Sequence, residues 1–177
     1  MTEFRIQLKQ TQELNNFDKD SLIGLKQQYW NYDKPEQERW MHDNLMPDDY
    51  HVLIYFLGGA LLAYLNAVNV EVTIDQFDHR MMGVGNVCVD HDHASMGLGS
   101  LLMSYINVFI RQSATCGILL CKDKLIPFYR SVNWKVLNPK IATISGKLYE
   151  HKTMLFDPHG IARLGEDPDL INLSRNF

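Results

Sequence analysis

The residues best placed to do chemistry lie in one stretch, Gly85-Asn86-Val87-Cys88-Val89-Asp90-His91-Asp92-His93-Ala94-Ser95-Met96-Gly97-Leu98-Gly99-Ser100-Leu101-Leu102-Met103. An apolar strand runs into a polar loop and passes through Gly-x-Gly into a helix. Glycines at such a junction leave backbone N–H groups unpaired at the positive end of a helix dipole, which suits an anion and above all phosphate. The plainer alternative is a tight strand-to-helix turn without a ligand. A dinucleotide fingerprint is excluded, because its third glycine falls on Leu102, and no Gly-Lys-Ser/Thr follows for a Walker-type loop.

Other reactive residue types carry less. His91 and His93 have i, i+2 spacing with no third or fourth ligand in range, so they read as solvated loop histidines and no metal is expected. Cys88, Cys116 and Cys121 share no ligand spacing, and an odd count suits a reducing compartment. Cys88 and Cys121 fall in apolar strands and read as small buried hydrophobes. Glu71, Asp75, Asp78, His79 and Asn86 are near the stretch as candidates for a general base acting through water. Each also reads as a solvated or turn residue, and the base stays unassigned.

The elements that must hold these residues follow from periodicity. After Gly97, the apolar residues Leu98, Leu101, Leu102, Tyr105, Ile106 and Phe109 make one helical face, with Ser100, Ser104, Asn107 and Arg111 opposite. Cys116-Gly117 is the expected stop, with a left-handed terminal residue. Gly117 to Cys121 reads as a buried strand parallel to the first, reached by a right-handed crossover. Lys124 to Trp134 reads as a short helix ending in an aromatic. Upstream, Phe4 to Leu8 is an opening strand, and Leu22, Leu25, Tyr29 and Trp30 predict an amphipathic helix capped by Asp18 or Asp20. Pro35 opens a second helix. Tyr29, Trp30, Tyr32 and Trp40 are either core or pocket lining. Strands are expected at His51 to Leu57 and Ala60 to Ala67, joined by Gly58-Gly59, then at Val68 to Ile74, whose residues alternate. A turn at Asp75 to Arg80 leads into Met81 to Val89. Lys135 to Ser145 and Lys147 to Phe156 predict a terminal hairpin about Gly146. The segment after it is polar, with Ile161, Leu164, Leu170, Ile171 and Leu173 as anchors.

In order, V-C-V-D, a polar loop, G-L-G-S-L-L-M, a strand and P-F-Y-R-S-V-N-W resemble the GNAT superfamily of acyl-coenzyme A-dependent N-acyltransferases. The match is close from Met82 to Leu137 and rests elsewhere on element order. It implies one mixed α/β domain over residues 1–177, with 157–177 as a C-terminal tail. The implied architecture is a mixed, mostly antiparallel sheet with a parallel strand–helix–strand coenzyme A-binding core and flanking helices, two of which form part of the acceptor-site wall. It further implies acetyl-coenzyme A as cosubstrate. The pyrophosphate would lie on His93, Ala94, Ser95, Met96, Gly97, Leu98, Gly99 and Ser100, and the pantetheine arm along Val87, Cys88 and Val89. The Val89 N–H would face the thioester oxygen, and Asp123 and Phe128 would be further coenzyme A contacts. Tyr129 matches the family's general acid, since a phenol with pKa near 10 keeps its proton at neutral pH and a thiolate leaving group needs only modest help. The plain alternative is a tyrosine packed beside Phe128. Three positions depart from the pattern. Ala94 stands where the family carries Arg or Gln, which leaves the backbone N–H groups and His93 to bind phosphate. Asn133 replaces the glycine before Trp134, and Asn is the next-best residue for a left-handed cap. Gly83 stands where some members carry a catalytic Glu.

Composition bounds the rest. With 177 residues, 46% hydrophobic and 21% charged, the chain reads as one ordinary globular domain. A formal charge of -4 argues against nucleic acid and favours a cationic substrate. The start of the chain lacks signal-peptide regions, and the longest apolar run, Val52 to Leu65, is too short for a bilayer, so no membrane partner and a cytoplasmic location are expected. The leading functional expectation is N-acetyl transfer from acetyl-coenzyme A to a small primary amine. Transfer to a protein or peptide amine, and a non-catalytic acyl-coenzyme A-binding module, are the alternatives. A homodimer is left open.

Overall fold

The computed structural model describes residues 3–162 and 167–177. The chain resolves into two compact units. The first holds the described residues up to 68, together with 85–103 and 177; the second holds those of 69–84 and 104–176.

In the first unit, strand β1 (Phe4–Gln10) runs antiparallel to β2 (Tyr50–Phe56) over its whole length, and β2 pairs antiparallel with the first part of β3 (Leu61–Ile74). Between β1 and β2 come helices α1 (Asn16–Gln27) and α2 (Lys34–Asn44). The cap of α1 is Asn15 rather than Asp18 or Asp20: Asn15 Oδ1 accepts the Asp18 N–H at 2.9 Å, and Asp18 Oδ2 accepts the Asn15 N–H at 3.1 Å. Asp18 is therefore the third helical residue of a capping box. It is also buried, paired with Lys9 Nζ at 2.7 Å and accepting the Tyr55 hydroxyl at 2.8 Å. Asp33 caps α2 in the same way, with Pro35 in its first turn. Leu22, Leu25, Met41, Leu53, Tyr64 and Cys88 are among the residues of this unit's core, against which Trp30, Trp40 and Phe177 pack. The sequence expectation of a break at Val68 is not met, because β3 is one continuous strand of 14 residues.

In the second unit, the last residues of β3 turn through Asp75-Gln76 into β4 (Phe77–Val89), a tighter turn than the expected Asp75 to Arg80. Asp75 takes φ 54°, and its Oδ1 accepts the N–H groups of Asp169 and Leu170. Helix α3 (Leu98–Gln112) leads to β5 (Gly117–Cys121), followed by α4 (Ile126–Ser131) and β6 (Lys135–Leu137). Then come β7 (Ile141–Ile144), β8 (Lys147–Leu148), β9 (Lys152–Phe156) and β10 (Leu170–Leu173). The strand order is β6-β9-β5-β4-β3-β10-β7-β8. Met82–Val84 and Gly117–Leu119 pair in parallel, and β9 is antiparallel to both β5 and β6, so the sheet is mixed.

Three sequence expectations are corrected here. The terminal hairpin is split: β7 and β8 make a tight hairpin on Ser145 (φ 49°) and Gly146 (φ 76°), while the almost wholly buried β9 pairs with β5 and β6. The segment after residue 157 supplies β10, which pairs parallel with β7 and antiparallel with β3; the anchor Leu164 lies outside the described residues. Helix α3 stops at Gln112 and Ala114 takes the left-handed conformation (φ 50°). Gly117 is instead needed for packing, since a Cβ there would sit 2.6 Å from Trp134 Cη2 and 2.8 Å from Ile110 Cδ1.

Candidate active site

The glycine loop lies in the first unit. Asp90 caps a 3-10 turn at His91–His93, and its Oδ1 also lies 2.7 Å from His93 Nδ1. The Asp90 carboxyl is held below the usual carboxylate range, first by the hydrogen bond from Gln28 and then by that from His93. Nδ1 of His93 is thus engaged by Asp90. Ser95 (φ 68°) and Gly97 (φ 79°) both take left-handed backbone around the exposed Met96. The first hydrogen bond of the helix runs from Leu101 N–H to Gly97 C=O at 2.9 Å, so the N–H groups of Leu98, Gly99 and Ser100 precede the ladder and project from its positive end. Ala94, Ser95 and Ser100 are exposed, as an anion site requires. Leu98 is 2% exposed, so only its backbone is available to a ligand. The buried helix face is Leu98, Leu102, Met103, Ile106 and Ile110; Leu101 is exposed, because the stripe is turned about one residue from the expected one.

The end of β4 also belongs to the first unit. Asn86 departs from strand geometry at φ 51°, a local break in the ladder. Cys88 is buried and its thiol is pushed up to about 12 by burial, so it is inert as a nucleophile. Val87 and Val89 are half-buried. Both backbone groups of Val89 meet Tyr29: its hydroxyl donates to the Val89 carbonyl and accepts the Val89 N–H at 3.3 Å. The neighbouring Gln28 donates to Asp90 Oδ2 and accepts the His91 N–H, both at 2.9 Å. The end of α1 is thus tied to the strand end and the loop by four hydrogen bonds. Gln28 was invisible to sequence reasoning, since its partners lie more than 60 positions away.

Behind β4, the first unit buries more polar groups than the pattern suggested. Lys26 is 3% exposed with its Nζ 4.3 Å from the centre of the Trp40 ring, and burial lowers its pKa to about 8. His51 is fully buried between the Thr11 and Tyr64 hydroxyls, 2.9 and 2.8 Å away, and burial lowers it to about 4. Asn66, in the middle of β3, is fully buried and accepts Asn86 Nδ2 at 2.9 Å through Oδ1. A lone polar residue inside the apolar run Leu61 to Val68 was the available signal for Asn66.

Asp123, Phe128 and Tyr129 lie in the second unit. Asp123 opens a 3-10 turn and is exposed; Phe128 stands edge-on to Tyr129 with ring centres 5.0 Å apart. Tyr129 is 6% exposed, and burial pushes its pKa well up, so the phenol keeps its proton throughout the physiological range. What fixes α4 is the turn after it: Asn133 takes φ 71°, the Trp134 indole N–H donates to Asn107 Oδ1 and Asn107 Nδ2 donates to Val132 O, both at 2.9 Å. Asn107 of α3 thereby pins both sides of the left-handed residue. Among the described residues no three His, Cys, Asp or Glu side chains group to hold a metal, and no helix is long and apolar enough to cross a membrane.

These features agree with known proteins. The model of the acetyltransferase (GNAT) family matches residues 12–134. No curated protein matches the chain in sequence. Among solved structures, the GNAT family N-acetyltransferase YhbS from Escherichia coli in complex with CoA has a TM-score of 0.70 at 13% identity, over 97% of this chain and 90% of that one. Escherichia coli ElaA has a TM-score of 0.65 at 19% identity, and an acyl-CoA N-acyltransferase from Pseudomonas aeruginosa 0.65 at 17%; each covers 87% of this chain and 99% of its own. At such identities the likeness is one of fold, and the family model carries the assignment. It spans well over half the chain and contains the loop at Gly97, the helix bearing Tyr129 and the turn at Asn133, so the chain belongs to the acetyltransferase (GNAT) family.

Proposed function

We propose that this acyltransferase moves an acetyl group from acetyl-coenzyme A to the primary amine of a small molecule. The observation that carries the reading is the cluster of unladdered N–H groups at Leu98, Gly99 and Ser100 beside two left-handed residues, a cradle suited to pyrophosphate without any side-chain cation at Ala94. The acceptor reaches the site as an ammonium and gives one proton to water. Its nitrogen attacks the thioester carbon, the carbonyl oxygen takes the Val89 N–H in place of the Tyr29 hydroxyl, and the C–S bond breaks. Tyr129 Oη gives its proton to the departing thiolate and recovers one, through water, from the acylated nitrogen. Burial keeps the phenol protonated at rest, and its uphill transfer to the less basic thiolate is completed by the proton recovered from the acylated nitrogen.

The test is single-turnover transfer at saturating acetyl-coenzyme A over an amine panel, with Tyr129→Phe beside the wild type. The variant should bind donor nearly normally and lose about 10²-fold or more in the chemical step. A wild-type rate in Tyr129→Phe removes the acid from the mechanism. Donor binding without transfer to any amine, in both proteins, would favour the non-catalytic module that Ala94 brings to mind.

A further inference from the structure

We infer that the acceptor is an amine that also carries a carboxylate, and that the Lys26 ammonium receives this carboxylate beside the face of Trp40. This deepens the transfer reading and rests on it. Lys26 lies on the buried face of α1 and is 3% exposed, and among the described residues its ammonium has no hydrogen-bond or ion-pair partner. What it does meet is the Trp40 ring, whose centre is 4.3 Å from Nζ. A ring face returns only part of what a buried ammonium loses on leaving water. No charge on a facing strand supplies the rest. The Lys26 charge is felt at Cys88 in β4 and at His51 in β2, and burial holds these at about 12 and about 4, so both are neutral between about pH 7 and 9. The ammonium is thus left to be matched by a ligand. Gln37, one turn before Trp40, is also buried, with Nε2 unpaired among the described residues. Both helices therefore bury a donor without an acceptor, within one turn of the Lys26–Trp40 contact. Trp40 itself is half-buried, so the seat borders solvent. One ammonium balances one negative charge, which suits a carboxylate better than a phosphate. The seat is also next to the chemistry. Tyr29, one turn on, donates its N–H to the Lys26 carbonyl at 3.0 Å and closes its hydroxyl on the Val89 backbone, and Cys88 is the residue before Val89. A short substrate held at Lys26 by its carboxylate can present its amine to that strand end.

The probes are β-alanine and 4-aminobutyrate, each beside its carboxamide, which keeps the amine and removes the negative charge. At pH 7 the wild-type kcat/KM should favour at least one acid over its amide by about tenfold. Lys26→Met keeps an unbranched side chain and removes a buried charge, so it should fold at least as stably and bring that ratio close to one. A second readout needs no variant and no turnover. NMR titration follows the ε-methylene of the lysine that ionises near 8, and a saturating acid should raise that midpoint by about one to three units while its amide leaves it in place. No preference for either acid, a preference that persists in folded Lys26→Met, or an unmoved midpoint with both acids overturns the seat and leaves acetyl transfer standing. If none of the four amines is acetylated, the transfer reading fails and the titration decides alone: a raised midpoint with an acid supports the seat, and an unmoved one overturns it.

Discussion

Tyr29 shows how much of a site can hang on one hydroxyl. Periodicity assigns its ring to a helix face and leaves open whether that face is core or pocket, and the ring is in fact half out of the protein, edge-on to His91. What spacing has no means of showing is that the hydroxyl closes on the N–H and carbonyl of Val89, 60 positions away. If the thioester oxygen uses that N–H, donor binding has to exchange one hydrogen bond for another, and Tyr29 competes with the substrate. Tyr29→Phe should then tighten acetyl-coenzyme A, with the dissociation constant falling about three- to fivefold for one neutral hydrogen bond no longer displaced. Gln28 keeps the end of α1 in place through its two bonds, so the comparison is made on an unchanged scaffold. Calorimetry at fixed salt reads the change. Equal or weaker affinity would mean that the hydroxyl supports the donor rather than excluding it. Other residues were legible in advance for local reasons: Asn133 adopts the left-handed turn that its side-chain type tolerates, and Cys88 is as buried as its neighbours predicted.

At the scale of elements, existence was easier to read than partnership. Helices α1 to α4 and strands β1, β2, β4 and β5 follow from periodicity, because that signal is local, whereas β3 was expected as two strands and the cap of α1 at Asp18 or Asp20 instead of Asn15. The pairing of β9 with β5, the strand β10 and the role of Gly117 were not legible, since each is decided by residues far off in the chain. Gly117 is the clearest case. In the sequence it looks like a helix stop, whereas in the structure its missing side chain lets Trp134 lie against β5 and reach Asn107, which sets the turn behind Tyr129. Adding one methyl there forces an indole ring or Ile110 aside, an overpacking cost of about 1–3 kcal/mol. Gly146→Ala makes a fair control, because a Cβ meets nothing within 4 Å and only the left-handed backbone (φ 76°) is strained, at about 1 kcal/mol. Urea unfolding should rank Gly117→Ala as the more destabilised, and should show slower transfer in it than in the control at equal folded fraction. The reverse ranking would return Gly117 to the role of a simple turn residue.

Over the whole molecule, the mixed sheet and the flanking helices were legible through the family resemblance carried by the Gly97 loop and the Pro127 to Trp134 stretch, and the parallel strand–helix–strand unit through the right-handed crossover rule. The buried charge was not, because hydrophobic patterning treats a polar residue as a surface residue. Buried titratable groups, charged or neutral, set how stability varies with pH. His51, held by burial at about 4, stays neutral in the fold while the unfolded chain takes up a proton near 6.5. The unfolded state thus binds more protons between those values, so stability is complete above about pH 6.5 and falls by about 3 kcal/mol as pH drops to about 4. Asp18, whose carboxyl burial alone would raise but which its bonds to Lys9, Tyr55 and the Asn15 N–H together lower, adds a further loss only below the ordinary carboxylate range. On the alkaline side two effects oppose. Lys26, lowered to about 8, makes the fold more stable as the unfolded lysine titrates from about 8 to 10.5. Cys88 and Cys116 at about 12 and Cys121 at about 11 act the other way, since the fold keeps thiol protons that the unfolded chain loses near 9. Three thiols outweigh one lysine, so the summit should fall between about pH 7 and 9. The acid limb is the sharper test. His51→Gln keeps a polar group between Thr11 and Tyr64 but removes the titration, so its unfolding free energy should change much less than that of the wild type between pH 7 and 4.5. Parallel acid limbs in the two proteins would exclude His51 as the group that titrates and leave the acid loss to the carboxylates.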